Sequence, residues 1–297
     1  MQTDVPKGRV AYEPSTLDPG SAREDSRRGF VTHPSTDGAA ERLRVRPESF
    51  ADHYSQARLF WESQTDLERD HIAAAFVFEL SKVETAAIRA RMVANLGHVS
   101  DALASRVARG LGMAGADPGK AAAKKAPVAP SPALSILAKA APTLLGRCVG
   151  ALVSDGTDGA LLKELREALG AEGCRLELIA PRVGGVRCSK GNPLKIDHQL
   201  GGAPSALFDA VAVLVAESAH AALASHAAAR DFIADAWGHA KVIGAVATAG
   251  PLLVGGGVPP SGDAGLVPLA PGAVAAFVQR AKAGRVWARE ATVRPAP

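Results

Sequence analysis

The stretch RCVGALVS at residues 147–154 decides how the second half of this chain folds. Its nearly continuous apolar character is typical of a strand that is covered on both faces of a sheet. Small and polar residues follow at 155–158, and leucines then recur at helical spacing over 161–169. The segment therefore predicts a strand, a turn and a helix in succession.

Three further runs have the same strand character, CRLELIAP at 174–181, DAVAVLVA at 209–216 and KVIGAVAT at 241–248. Helical stretches are predicted at 217–237, where alanine is abundant, and at 271–284. Buried strands that alternate with helices indicate an α/β domain with a mostly parallel sheet. Ligands of such sheets sit in loops at the carboxyl ends of the strands. The candidate positions there are Asp155, Gly156, Glu217, Thr248 and Gly250.

The region before this domain predicts a small all-α bundle of four helices. Thr65 and Glu68 form a capping box, and Ser100 is placed to cap the last helix, which continues through Leu103 and Val107. That helix is expected to end around Gly110 and Gly112. The apolar stripe assigned to the bundle core comprises Phe50, Tyr54, Ala57, Trp61, Ile72, Phe76, Val77, Leu80, Ile88, Met92 and Leu96.

Composition divides the chain into four parts. Residues 1–48 are rich in Pro, Gly, Ser and charge, and form either a disordered tail or an extended arm that wraps around partner subunits. The helical domain is expected at 49–113 and the α/β domain at 133–297. Between them, residues 114–132 have the Ala, Pro, Gly and Lys composition of a linker.

Bulk properties exclude several classes of protein. The chain has 297 residues, 47% apolar and 22% charged, with a formal net charge of +4, which suits a globular protein. Lys120, Lys124 and Lys125 supply much of that excess and are expected to be solvated, so no nucleic-acid partner is predicted. We find no export signal or membrane span. Three cysteines in no paired motif favour a reducing cytoplasm.

Common catalytic motifs are absent from the sequence. Gly255, Gly256 and Gly257 lack the third glycine of a dinucleotide fingerprint, because Pro260 stands in its place. There is no Walker loop, HExxH or GxSxG motif, and the eight histidines show no recognisable metal-ligand spacing. Of the cysteines, Cys148 and Cys174 are expected to be buried. Cys188, close to Arg187 and Lys190, is the one thiol that merits an assay.

Several motifs resemble large-subunit haem catalases. VPKGRVAYEPSTL, RRGFVTHP, RPESFADHYSQARLFW and FVFELSKVETAAIRARMV are similar to the part of those proteins that follows the haem-binding barrel. Residues 131–297, from SPALSIL to GRVWARE, resemble their extra carboxyl-terminal domain. That resemblance implies a fold like flavodoxin and the class I glutamine amidotransferases.

The resemblance also implies what this chain does not contain. The family holds haem in the barrel through a proximal tyrosine in an Arg-x-x-x-Tyr setting, whereas Tyr12 and Tyr54 here follow Gly8 and Phe50. We therefore expect no cofactor within this chain, although the full-length family binds haem and converts hydrogen peroxide to water and oxygen. The expected role is structural, with a homo-oligomer or a catalase core as partner.

The amidotransferase likeness predicts a degenerate site. Thr248, in AVATAGP, stands where the resemblance would put a nucleophilic cysteine, and is only a weak candidate without an adjacent base. Two alternatives remain: a free-standing small-molecule-binding or chaperone-like protein that uses Asp155, Glu217 and Thr248, and a hydrolase or amidotransferase that acts through Thr248 or Cys188. The sequence leaves open whether Met1 is a true start and whether a separate chain supplies the barrel.

Overall fold

The computed structural model describes residues 44–113 and 127–294. These residues fall into two compact units, 44–51 and 52–294. The first contains a single turn of 3₁₀-helix, Glu48–Ala51. Most of the predicted arm, at 1–43, and most of the predicted linker, at 114–126, lie outside the described residues.

Four α-helices open the second unit, as the sequence predicts. They are α1 (Ser55–Glu62), α2 (Asp66–Ser81), α3 (Ala86–Val99) and α4 (Asp101–Gly110). The capping box is confirmed, because Thr65 Oγ1 accepts from the Glu68 amide while the Glu68 carboxylate accepts from the Thr65 amide at 2.9 Å. Ser100 caps α4 by accepting from the Leu103 amide at 3.4 Å.

The predicted core stripe of the helices is only partly correct. Phe50 is 54% exposed and precedes α1, and Ala57 on α1 is exposed as well. Ile88 and Met92 on α3 are 44% and 37% exposed. A helix in such a small bundle can bury only one face, and α3 is apolar on more than that face. The observed core consists of Trp61, Ala73, Leu80, Val93, Leu96, Leu103, Ala104, Val107 and Ala108.

A six-stranded sheet forms the centre of the later part. Its strands are β1 (Cys148–Val153), β2 (Arg175–Ala180), β5 (His198–Gln199), β6 (Ala210–Leu214), β7 (Ile243–Ala245) and β8 (Leu266–Pro268). All of its pairs are parallel, in the order β5-β2-β1-β6-β7-β8. Without the short edge strand β5, this is the flavodoxin-like order. A separate antiparallel hairpin pairs β3 (Val186–Arg187) with β4 (Pro193–Leu194).

Helices cover both faces of the sheet. The elements are α5 (Gly159–Ala171), α6 (His220–Ser225), α7 (Ala227–Gly238), α8 (Gly250–Gly255), α9 (Val274–Lys282) and α10 (Glu290–Val293). Helices α5 and α9 pack into one apolar cluster, while α6, α7 and α8 pack into the other. The expected α/β class with a parallel sheet is confirmed.

Close packing requires glycine at the centre of the sheet. A Cβ atom on Gly150 in β1 would lie 2.5 Å from the Phe208 ring, and one on Gly244 in β7 would lie 2.6 Å from the Phe277 ring. These separations are far below van der Waals contact, so each glycine lets an aromatic ring lie directly on the backbone.

Two predicted elements differ from those observed. The run at 241–248 yields only the three residues of β7, because Lys241 belongs to the end of α7: Ala240 has a φ of 55° and the Lys241 amide donates to Ala236 O at 3.0 Å. The helical stretch at 217–237 is divided into a 3₁₀ turn at 217–219, α6 and α7. The division falls at His226, whose backbone is extended.

Candidate functional site

The carboxyl ends of β1 and β6 form the centre of the candidate site. From β1 the chain crosses to β2 on one side, and from β6 it crosses to β7 on the other. Such a reversal of direction opens a crevice at the carboxyl edge of an α/β sheet, where ligands of this fold class bind.

In this protein a ridge fills the middle of that crevice. Thr157 Oγ1 donates to Leu214 O at 2.7 Å, and Ser154 Oγ accepts from the Ala216 amide at 3.0 Å. Gly156 has a φ of 84°, and a Cβ there would lie 2.9 Å from the Ala216 Cβ. The loops after β1 and β6 are therefore in direct contact, and they leave one cleft on each side.

The first cleft, of about 320 Å³, lies toward β2 and is lined by Asp155, Arg182, Ser218, Leu223 and His226 among others. Asp155 is held by the chain itself: its Oδ1 accepts from the Arg187 amide at 2.8 Å and its Oδ2 from Arg182 at 3.3 Å. The carboxylate thus anchors the β3–β4 hairpin over the loop after β1. This contact gives Asp155 a structural role that the sequence pattern did not distinguish from ligand binding.

The second cleft, of about 360 Å³, lies toward β7 and β8 and brings together the predicted residues Gly156, Glu217 and Thr248. Its remaining walls are largely apolar, from residues that include Leu161, Val246, Leu269 and Pro271. Gly250 begins α8 and is not among the lining residues. The structure therefore gathers three of the five candidate positions in one cleft and places Asp155 in the other.

Thr248 lies in a 3₁₀ turn, Ala247–Ala249, directly after β7. Its hydroxyl donates to Val215 O at 3.0 Å. A nucleophile elbow holds its residue in a strained turn and beside a base. Among the described non-glycine residues only Ala240 has a positive φ, and neither histidine nor cysteine lines this cleft. The arrangement does not activate Thr248.

The three cysteines are buried and reduced. Burial, reinforced by Glu177, raises the pKa of the Cys148 thiol to about 12. Burial and Asp209 raise the pKa of Cys174 to about 11. Cys188 is 7% exposed and its Sγ lies 3.2 Å from the position that a Cβ on Gly159 would occupy. The basic neighbours of Cys188 in sequence therefore do not make it an accessible thiol.

Sequence reasoning missed a buried ion pair in the GRVWARE segment. Arg289 is 3% exposed and donates to both oxygens of Asp263, at 2.6 and 2.9 Å. It also donates to Lys241 O at 2.9 Å, and its guanidinium lies 3.8 Å from the centre of the Trp237 ring. The hydrogen bonds from Arg289 lower the pKa of Asp263. The partner carboxylate is 26 residues away, so no local pattern indicates the pair.

Within the described part of the chain, no group of three or more metal-ligating side chains comes together. No helix there has both the length and the apolar character that crossing a membrane requires.

Family models match two parts of the chain. The model described as catalase-related immune-responsive matches residues 47–111, and that of the C-terminal domain found in long catalases matches residues 145–291. The two matches cover the four-helix part and the parallel-sheet part.

Whole-chain relatives agree with these matches. Catalase C of Rhizobium meliloti (strain 1021) is 45% identical over 292 residues, which is 97% of this chain and 41% of that protein. Catalase HPII of Pseudomonas putida is 36% identical, over 99% of this chain and 41% of its own length. Catalase-2 of Bacillus subtilis (strain 168) is 33% identical over 244 residues, which is 81% of this chain and 34% of that protein.

A flavodoxin-like domain that follows a catalase-type helical bundle defines the carboxyl-terminal portion of a long catalase. The chain belongs to the large-subunit catalase family, and it spans about two fifths of the length of the first two relatives.

Membership of the catalase family implies a bound haem group, but the described residues do not provide a site that fits haem. A haem iron needs an axial ligand inside a pocket. Tyr54 instead donates to Asn95 Oδ1 at 3.3 Å, with its ring 4.6 Å from that of His98. Neither cleft is lined by tyrosine or cysteine, and the cleft that contains His226 is at the small end of the range for small-molecule pockets. No haem chemistry follows from these residues.

Proposed function

We propose that this chain serves as the structural carboxyl-terminal portion of a long catalase and does not itself decompose peroxide. In the family, a haem barrel converts hydrogen peroxide to water and oxygen. The observation that carries the proposal is the match of nearly the whole chain to only about 41% of Catalase C. In this proposal, the decomposition of hydrogen peroxide takes place outside this chain.

The apolar surface of the helices supports a partner for the proposed helical domain, residues 49–113. Phe78 on α2 is 62% exposed, and Ile88 and Met92 are exposed one turn apart on α3. Exposed apolar patches of this kind mark interaction sites in soluble proteins. We assign the catalase core as the partner, within a homo-oligomer like those of the family.

The proposed flavodoxin-like domain, residues 133–297, carries no catalytic role in this scheme. The Thr248 hydroxyl donates its hydrogen bond to Val215 O and has no adjacent base, which supports a degenerate amidotransferase-like site. Its function is to pack against the rest of the assembly. The reduced cysteines support the cytoplasm as the proposed location.

An oxygen electrode tests the catalytic part of the proposal. The purified chain, incubated with haem, is expected to release no more oxygen from hydrogen peroxide than haem alone. A full-length long catalase is the positive control. Rapid turnover by the chain would overturn the proposal.

Complementation tests the partner. A truncated Catalase C that ends where its match to this chain begins is expected to bind the chain. Met92→Glu is expected to weaken the complex, because it places a charge in the apolar contact. Val254→Glu is the matched control, since Val254 is also exposed, at 58%, but lies on α8. Equal binding by both variants would exclude the α3 face as the contact.

A further inference from the structure

The β3–β4 hairpin carries positive charge without any acidic residue. Residues 182–195, RVGGVRCSKGNPLK, contain four cationic side chains and neither Asp nor Glu. The four cations, all exposed, are Arg182, Arg187, Lys190 and Lys195. We call this segment the basic hairpin. It follows β2 and contacts the loop after β1, so it concentrates positive charge at the carboxyl edge of the sheet.

Backbone hydrogen bonds fix the basic hairpin to the loop after β1. The Gly156 amide donates to Arg187 O at 2.8 Å, and the Ser189 amide donates to Thr157 O at 2.9 Å. These bonds add to the one from the Arg187 amide to Asp155. The cations are therefore displayed from a held backbone, so that less conformational entropy is lost when a partner binds.

Side chains alternate in direction along β3 and into the turn that follows. Val186 and Cys188 are 3% and 7% exposed, whereas Arg187 between them is exposed. Cys188 packs against the start of α5, where a Cβ on Gly159 would lie 3.2 Å from its Sγ. Neighbours on an extended chain point to opposite faces. The fold thus takes up the apolar side chains and leaves the cation facing solvent.

Among the residues that the structure describes, acidic side chains neutralise only one of the four cations. Arg182 pairs with Asp155 at 3.3 Å. Arg187 donates to a backbone carbonyl at 2.9 Å, which leaves its charge uncompensated. Neither Lys190 nor Lys195 forms an ion pair with a described residue. Three positive charges of the basic hairpin are therefore open to a partner.

Two other carboxylates in neighbouring segments have different roles. Asp158 caps α5 by accepting from the Ala160 amide at 2.8 Å, and Asp197 accepts from the Leu178 amide at 2.9 Å. Neither of them forms an ion pair with the basic hairpin in the described part of the chain. The fold thus uses these acids to hold backbone amides.

An acidic protein segment fits this surface better than a nucleic acid does. No Phe, Tyr or Trp occurs at 182–207, so the basic hairpin offers no aromatic ring on which a base could stack. It does offer apolar surface, because Val183 is 53% exposed beside Gly184 and Gly185, whose open side has no atom within 4 Å of a built Cβ. Protein interfaces combine apolar contact with complementary charge.

We propose that the basic hairpin binds a segment of a partner protein that is rich in Asp and Glu. The carboxylates of that segment pair with Arg187, Lys190 and Lys195, and its apolar side chains contact Val183. This surface is separate from the α3 face assigned to the catalase core, so the inference does not depend on the proposed role in catalase.

Fluorescence anisotropy of the full chain with a fluorescein-labelled deca-glutamate peptide tests the proposal. At about 50 mM salt, where charges are weakly screened, the peptide is expected to bind saturably. Lys190→Glu combined with Lys195→Glu is expected to weaken binding by roughly tenfold or more, because two attractive charges become repulsive. Lys190→Arg combined with Lys195→Arg should keep the wild-type affinity. Unchanged binding by the glutamate double variant would overturn the proposal.

The matched control is Arg91→Glu combined with Arg109→Glu, which changes the net charge equally at exposed positions on α3 and α4. Its affinity should stay within about twofold of the wild type. An equal loss in this control would show attraction to overall charge alone and would contradict a site on the basic hairpin.

Two further measurements define the partner and guard against misfolding. A labelled thymidine decamer is expected to bind more weakly than deca-glutamate, because the basic hairpin lacks stacking partners. Equal or tighter binding of the decamer would assign the surface to nucleic acid and overturn the proposal. Thermal denaturation checks that each variant folds. If the glutamate double variant does not fold, Lys190→Gln combined with Lys195→Gln should weaken peptide binding in the same direction.

Discussion

Lys241 carries its ammonium group into the protein interior at the amino end of β7. It is 1% exposed, and its Nζ donates to Ser205 O and Phe208 O rather than to a carboxylate. Burial, together with Arg285, lowers the pKa of Lys241 to about 8. The fold therefore favours the neutral amine, and the charged amine destabilises it.

A pH titration of stability checks this assignment. Between pH 8 and 10.5 the unfolded chain holds more protons on Lys241 than the folded one, so the free energy of unfolding should rise with pH across that window. The gain attributable to Lys241 is about 3 kcal/mol. The Lys241→Met variant should not show this rise in the free energy of unfolding. Denaturant unfolding followed by tryptophan fluorescence measures both chains, and parallel pH curves would contradict the assignment.

Arg289 is expected to be far more sensitive to substitution than a surface arginine. Arg289→Ala leaves Asp263 partly buried without its partner, and should cost about 3–5 kcal/mol in the free energy of unfolding. Arg289→Lys should recover little, because an ammonium group cannot pair with both Asp263 oxygens while it stacks on Trp237.

The matched control is Arg166→Ala, at an exposed position on α5, which should change stability by less than about 0.5 kcal/mol. Thermal and chemical denaturation measure all three variants. An equal cost for Arg289→Ala and Arg166→Ala would contradict the role of the buried pair.

Local signals at single residues were predictable from the sequence, and long-range partners were not. Thr65, Glu68 and Ser100 act within one helical turn, so a short pattern defines their caps. The additional contacts of Glu68 with Ser135, Ile136 and Leu137 join positions 67 to 69 residues apart. No periodicity connects such positions, so these contacts were not foreseen.

At the scale of elements, Glu68 connects the start of α2 to the segment 135–137. Glu68→Gln replaces one acceptor oxygen with a donor that faces other donors. The expected loss is about 1–3 kcal/mol, with faster amide exchange at Ile136 and Leu137. Exchange mass spectrometry and denaturation measure the two effects.

Glu79→Gln is the corresponding control on the same helix. Glu79 is exposed and contacts Lys82 at 3.1 Å, a surface pair that contributes little. The Glu79→Gln substitution should leave amide hydrogen exchange at residues 135–137 unchanged. Slower or equal exchange at Ile136 and Leu137 in Glu68→Gln would contradict the proposed anchor.

Long apolar strands were predictable, whereas short ones were not. The runs around β1 and β6 are nearly uniformly apolar because both faces of the central sheet are covered, and β2 is apolar over its last three residues. β8 has three residues and β5 only two, too few for a pattern to form. The run predicted at 241–248 begins before β7 does, because Lys241 belongs to the end of α7, which is a property of helix termination rather than of strand composition.

On the scale of the whole molecule, the three cysteines should report global unfolding. Each is less than 8% exposed, and the thiol pKa values of Cys148 and Cys174 leave little thiolate at neutral pH. In native buffer a disulfide reagent should label none of them rapidly. In denaturant all three should react, which absorbance of the released thiolate measures. A stoichiometric native burst would contradict the described burial.

The site itself was predicted only as a region. Parallel topology placed Gly156, Glu217 and Thr248 at one edge, and the structure gathers them in the second cleft. The ridge between β1 and β6 depends on hydroxyl contacts from Ser154 and Thr157 to the end of β6 and the residues just after it, 62 and 57 residues away. Since those contacts exist only in the folded state, the sequence could not show that the crevice is divided.

The edges of the six-stranded sheet bear on how the chain avoids self-association. An open strand edge invites another chain to add a strand, which leads to aggregates. One edge here is β5, with two residues, and the other is β8, which ends at Pro268 and so lacks one backbone donor. Neither edge offers a long template. The flavodoxin-like sheet therefore offers little backbone to which another chain could add a strand while the protein is being synthesised.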